Sequence, residues 1–305
     1  MKCSLCGGEA TIKLVYANLK LCEDCFCTYI ENRIKKKMRK FIHGRKYAVA
    51  VSGGKDSMTV LYLMKKLFPE SLSFAFFIDL GLPGFSQEAR KKVSQLASSL
   101  EVPLKILSLK EEYGFDLADI AEGRVRKARK KKVCRACAVV KRYLMNKVAW
   151  ESGVHGVITG HNADDAAVTT VMNLFNIEFE RLLHLAPYNP PIPDLHLSAK
   201  LKLLYHVREE EVRLYAGIRK IPYLDAKCPY VQGREPTQHL YKRMLDTLEE
   251  RMPEIKLRIL AMLKELKKRM EPEEFPQYLC ERCGFPTVNP KKICNFCRIV
   301  EEVRG

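Results

Sequence analysis

Ala48-Val49-Ala50-Val51-Ser52-Gly53-Gly54-Lys55-Asp56-Ser57 is the stretch that decides the fold. Four apolar residues read as a short buried strand, and Val60, Leu61, Leu63 and Met64 follow at helical spacing. Between them lie two glycines. A strand, a glycine turn and a helix start bring backbone N–H groups and the helix dipole to bear on one point, which suits a phosphate. Lys55, Ser52 and Ser57 can contact the same anion. The spacing matches neither G-x-x-x-x-G-K-[ST] nor G-x-G-x-x-G. An ordinary Gly-Gly turn is the bland alternative; the order strand, glycines, lysine, helix argues against it.

Outward from this loop, short apolar runs alternate with longer amphipathic ones. Strands are expected at Tyr47 to Val51, Ser73 to Ile78, Leu104 to Ser108 and Gly156 to Thr159. Helices are expected at Lys55 to Leu67, Ser86 to Leu100, Ala136 to Glu151, Ala163 to Leu174 and Arg208 to Gly217. The alternation predicts an α/β fold, a doubly wound, Rossmann-like parallel sheet. Pro187 to Asp194, with four prolines, reads as a loop, and Pro236 to Met270, broken at Pro253, as a pair of helices. The organisation expected is a cysteine finger over 1–32, a basic helical linker over 33–45, a catalytic domain over 46–271 and a second finger over 272–305.

The chain has 305 residues, 53 of them basic and 36 acidic, for a net charge of +17. Such an excess points to a polyanionic partner, nucleic acid first. No apolar run is long enough to cross a bilayer and no signal-peptide core opens the chain, so a cytoplasmic location and no membrane contact are expected. Ten of the 12 cysteines form Cys-x-x-Cys pairs, which in a reducing compartment favours metal over disulfide. Cys3, Cys6, Cys22 and Cys25 make one four-thiolate set, and Cys280, Cys283, Cys294 and Cys297 another; both have the spacing of structural Zn²⁺ sites. Cys27 is left out of the set, as a packing or free thiol.

Cys134 and Cys137 have no second pair nearby, and Cys228 is the remaining candidate. Three thiolates can hold an iron–sulfur cluster with one open iron, act as a redox pair with a helper, or receive sulfur directly. Eight of the twelve residues from Arg124 to Arg135 are basic and lead into this pair, a placement suited to gripping RNA as well as to a solvated charged face. Asp79, at a strand end, is expected to line the nucleotide pocket.

Ser52-Gly53-Gly54-Lys55-Asp56-Ser57 resembles the PP-loop of the ATP pyrophosphatases, and Gly160-His161-Asn162-Ala163-Asp164-Asp165 resembles that family's second block. With the internal Cys-x-x-Cys, the later Cys228-Pro229-Tyr230 and a finger at each end, nearly the whole chain is similar to the tRNA 2-thiouridine synthetases of the TtuA type. The resemblance implies ATP on residues 52–57 and at Gly160, with Mg²⁺ near Asp164 or Asp165. It implies a [4Fe-4S] cluster on Cys134, Cys137 and Cys228, with Lys141 as an active-site lysine. The implied reaction adenylates a uridine O2 in tRNA and replaces that oxygen with sulfur from a ubiquitin-like sulfur-carrier protein or free sulfide. A homodimer stays open. The rivals are a PP-loop enzyme that amidates a small-molecule carbonyl and a non-catalytic zinc-ribbon RNA-binding protein.

Overall fold

The computed structural model describes residues 1–122, 133–226, 228–230, 237–270 and 277–304. Most of the basic run, 124–132, and the segment just after Tyr230 lie outside the described residues. The chain opens with an antiparallel hairpin, β1 (Ile12–Leu14) and β2 (Leu19–Leu21), followed by helix α1 (Glu23–Ile42). This helix starts between Cys22 and Cys25 and continues through the basic segment. Phe26, Ile30, Ile34, Met38 and Ile42 are buried on it at four-residue spacing, so one face packs while the lysines stay outside. Arg33 pairs with Glu211 at 2.5 Å, and Glu31 accepts from Tyr215 at 2.7 Å, which fastens α1 to the core.

The central unit runs β3 (Tyr47–Val51), α2 (Lys55–Leu67), β4 (Leu72–Asp79), α3 (Phe85–Ser99), β5 (Leu104–Ser108), α4 (Leu109–Tyr113), α5 (Leu117–Ala121), α6 (Val133–Glu151), β6 (Gly156–Thr159), α7 (Ala163–Phe175), α8 (Phe179–Leu183), β7 (Tyr188–Asn189), β8 (Ala199–Lys202) and α9 (Glu209–Ile218). The sheet order is β5-β4-β3-β6-β8-β7, parallel except for β7. From β3 the chain winds out through β4 and β5, then returns to β6 on the other side. The order therefore reverses between β3 and β6, and a crevice opens at their C-terminal ends. Val49 and Val51 pack toward α2 with Met58 and Leu61, whereas Ala48 packs on the opposite face with Val157, Val148 and Ala149. Both faces are covered, which is why these strands are continuous apolar runs.

The expected strands and helices are present within a few residues of their boundaries. Helix α6 starts at Val133, three residues earlier than expected, so Cys134 and Cys137 lie on its first turns. The stretch expected to be only loop, Pro187 to Asp194, is corrected: Tyr188 and Asn189 pair with Leu201 and Lys200 as an edge strand. Pro187, Pro190 and Pro191 lack the N–H a longer ladder needs, which limits the pairing to two residues. Strand β8 was not expected, since Ala-Lys-Leu-Lys carries only two apolar side chains.

Two further helices, α10 (Thr237–Arg251) and α11 (Ile255–Lys267), pack on α7, and the chain ends in β9 (Tyr278–Leu279), β10 (Pro286–Thr287) and α12 (Asn295–Arg304). Lys256 of α11, 2% exposed, pairs with Asp164 at 2.5 Å, Asp246 at 2.5 Å and Glu249 at 2.9 Å. Removing a buried cation strands its partners at a cost of about 3 kcal/mol. Lys256→Met should therefore lower the thermal midpoint by several degrees, and adding Asp164→Asn should restore part of the loss. An unchanged melting curve for Lys256→Met would show that the network carries no stability.

Candidate active site at the ends of β3 and β6

Val51 ends β3 and Lys55 begins α2, with Gly54 as an N-cap that offers no side chain to the first amides. Those amides are free for an anion. Ser57 Oγ donates to Gly54 O at 3.0 Å, accepts from Ser52 N at 3.0 Å and lies 3.1 Å from Ser52 Oγ, which fixes the turn. Gly53 has φ +85°, and a Cβ there would meet Ala89 of α3 at 2.8 Å, so both conformation and space require glycine. Lys55 Nζ contacts Asp56 at 2.8 Å and Glu209 of α9 at 2.9 Å. Burial works to raise the Glu209 pKa, but Lys242 and Lys55 outweigh it and hold it at about 2.

The second loop follows β6. Asn162 caps α7 by accepting from Asp165 N at 3.0 Å, and Asp165 Oδ2 accepts from Asn162 N at 3.2 Å. Asn162 Nδ2 also donates to Asp56 Oδ1 at 3.0 Å, tying the two loops together. Burial pushes the Asp165 carboxyl up to about 6; the Asn162 N–H opposes this, while Asp56, Glu209 and Asp164 reinforce it. Burial, with Lys202 and Lys141 adding, lowers His161 to about 4 and keeps its ring neutral at pH 7. Its Nδ1 lies 2.9 Å from Thr159 Oγ1.

Between the loops is a cavity of about 360 Å³ lined by Ser52, Gly54, Asp56, Ser57, Gly160 and Asp165, with an apolar wall that includes Phe76, Ile78 and Phe85 and with Lys141 from α6. Its size and its mix of free amides, acids and apolar wall suit a nucleotide. Gly53, Lys55, Asp79 and Asp164 do not line it. Asp79 accepts from Gly81 N at 3.0 Å, beside the wall residue Ile78. Asp164 is turned to Lys256 and accepts from Glu209 N at 2.7 Å. Glu209 was missed in the sequence: it lies 154 positions from Lys55, and no local pattern marks it.

Lys141 also joins this cavity to the internal thiols. Burial raises the Cys137 pKa, the Lys141 ammonium opposes it by charge and hydrogen bond, and Cys228 and Cys134 are the next groups acting on it. Cys137 and Cys228 are half-buried and pack on one apolar cluster, with Cys134 exposed at the helix start. Cys228 thus comes from a distant segment to pack on the same apolar cluster as Cys137.

The terminal cysteines are arranged more tightly. Within each set of four, the sulfurs lie within 4.8 Å of one another. Cys6 and Cys22 are 3.8 Å apart, Cys280 and Cys297 3.9 Å, and Cys283 and Cys294 3.7 Å. A Zn–S bond of about 2.3 Å sets tetrahedral sulfurs about 3.8 Å apart, so both sets fit zinc. Backbone N–H groups of Cys6, Cys22 and Leu5 lower the Cys3 pKa to about 6, whereas the neighbouring thiols of Cys22 and Cys6 raise that of Cys25. Cys134, Cys137 and Cys228 form no such tight group among the described residues.

Residues 27–227 match the family model of the PP-loop domain, and residues 2–27 match that of the 2-thiouridine synthetase TtuA N-terminal LIM domain. The tRNA-5-methyluridine(54) 2-sulfurtransferase of Thermotoga maritima is 37% identical over 99% of this chain and 97% of its own length. The chain belongs to the PP-loop 2-thiouridine synthetases. Another relative of this synthetase, a probable sulfurtransferase of Methanocaldococcus jannaschii, is 34% identical over 100% of the chain and 89% of its own. The fold is similar to that of the U34-tRNA thiolase NcsA from Methanococcus maripaludis with its [4Fe-4S] cluster, at a TM-score of 0.81, 24% identity and coverage of 97% and 95% of the two chains.

Gly160 offers the sharpest check of the synthetase's cavity. A Cβ there would lie 2.7 Å from Ser57 N and 2.9 Å from the Asp56 carbonyl carbon, both backbone atoms. Overpacking of this kind costs about 1–3 kcal/mol and here falls on the phosphate-binding turn. Gly160→Ala should weaken ATP roughly tenfold in titration calorimetry while the circular dichroism spectrum of the fold stays unchanged. Wild-type affinity in this variant would mean that the turn does not hold the nucleotide.

Proposed function

We propose that the enzyme uses ATP to activate the C2 oxygen of a uridine in tRNA and replaces that oxygen with sulfur. The observation that carries this reading is Lys141, which lines the nucleotide cavity and sits one helical turn after Cys137 on α6, where its charge acts on that thiol. A lysine shared in this way supports a reading in which adenylation and sulfur delivery occur next to each other. An amidating enzyme has no use for three thiols beside its nucleotide cavity, and a binding module none for a built phosphate turn. Relatives named as tRNA sulfurtransferases support tRNA as the substrate, as does the charge of +17.

In this account the free amides at the start of α2, with Ser52 and Ser57, hold the ATP phosphates, and Lys55 exchanges its contact with Glu209 for them. The uracil O2 attacks the α-phosphorus; an O2–P bond forms, and the bond to pyrophosphate breaks. Sulfide then adds at C2, the C2–O bond breaks and AMP leaves with the former uridine oxygen. Lys141 places a positive charge beside both events, and neutral His161 keeps a second charge out of the cavity. When bound, a [4Fe-4S] cluster on Cys134, Cys137 and Cys228 would supply an iron without a protein thiolate as a station for sulfide, and Mg²⁺ at Asp165 and Asp56 would draw charge from the phosphates. Asp164, engaged with Lys256, positions α7. The sulfur comes from a ubiquitin-like sulfur-carrier protein or free sulfide, in a reducing cytoplasm.

Cys134→Ser, Cys137→Ser and Cys228→Ser are the direct test, because a hard serine oxygen is a poor ligand for iron. Under strict anaerobiosis each variant should lose its iron and its 2-thiouridine product and keep two zinc ions. A Cys228→Ser protein with full iron and activity would remove Cys228 from the centre.

A further inference from the structure

A second cavity lies on the other side of α6. It measures about 390 Å³ and is built jointly by α6, β8 and the C-terminal module, with Arg142, His184 and Lys200 facing Phe285, Pro286 and Val288. None of these residues takes part in the chemistry above. Among the described residues, neither Arg142 nor Lys200 forms an ion pair with a carboxylate. Two cations that press on each other across a concave site without an acid are a site for an external anion. Burial and the Arg142 charge both act to lower the Lys200 pKa, a cost that an anion would remove. The opposite wall is apolar, and Val288 is 68% exposed on it.

The groove is also in register with the reaction cavity. Lys141 and Arg142 are adjacent on α6, the first lining the nucleotide cavity and the second the groove. On β8, Lys200 and Lys202 share one face, about 6.6 Å apart along the strand. Lys202 pairs in register with Thr159, which lines the reaction cavity, and Lys200 lines the groove. An RNA strand entering the cavity at one end of this row would meet the groove at the other.

We propose that this groove binds a nucleotide neighbouring the reacting uridine, with Arg142 and Lys200 on its phosphodiester and the Phe285, Pro286 and Val288 wall against its sugar or base. The inference rests on RNA being the substrate. It gives the C-terminal module a task beyond stapling the chain: one wall of the RNA site.

The experiment measures binding of an unmodified tRNA transcript over a salt series for Arg142→Ala, Lys200→Ala, the double variant and Lys200→Arg. Arg142 is exposed and carries no packing load, so its variant keeps the fold. Each alanine should weaken tRNA roughly fivefold and lower the salt slope by about one, as one lost phosphate contact does. Lys200→Arg should bind nearly as the unaltered enzyme, and ATP affinity and zinc content should not move in any variant. A double variant with unaltered affinity and slope would overturn the groove alone. Failure of the unaltered enzyme to bind tRNA would overturn the RNA reading with it.

Discussion

The parallel pairing of β3 with β6 brings Gly160 so close to the start of α2 that a single methyl group would strike Ser57 N at 2.7 Å. Most of the site follows from that approach. Because the two strand ends are in contact, the phosphate turn and the cap of α7 share one hydrogen bond, Asn162 to Asp56. The acids of both loops then crowd together, which is why burial and neighbouring carboxylates keep Asp165 protonated well above the usual range. A metal ion or a phosphate-bound cation relieves that crowding. The reversal of strand order at the same place leaves the crevice open for a ligand.

Charge is managed differently on the two sides of α7. Toward α10 and α11, Lys256 is enclosed by three carboxylates and is a closed, internal account of charge. Toward β8 and α6, the cations Lys200 and Arg142 face space. The first arrangement fixes helices; the second matches a polyanion.

Much of this was legible in the sequence because it is local. The strand, turn and helix around Ser52 to Ser57 lie within twenty residues and carry their own periodicity, and the four-cysteine sets carry their own spacing. What escaped depends on distant pairing. Strand β8 hides in Ala-Lys-Leu-Lys, because its two lysines, one of which lines the groove, break the apolar run. The Tyr188–Asn189 edge strand exists only because β8 is there to receive it. Glu209 meets Lys55 through the packing of α9 on α2, which no spacing encodes. Placing Cys228 with Cys134 and Cys137 came from family resemblance, as the residues alone left several thiol chemistries open. Asp164 and Asp165 were indistinguishable as a sequence pair; a one-residue step on a helix turns one to Lys256 and the other to the cavity.

The central claim is that ATP activates the base itself, so the oxygen lost from the uridine must leave on AMP. A tRNA carrying oxygen-18 at O2 of the target uridine tests this in one turnover, with mass spectrometry of the nucleotide products. The account predicts one labelled oxygen in the AMP phosphate for each 2-thiouridine formed. Unlabelled AMP, with the oxygen-18 recovered in water or pyrophosphate, would contradict it.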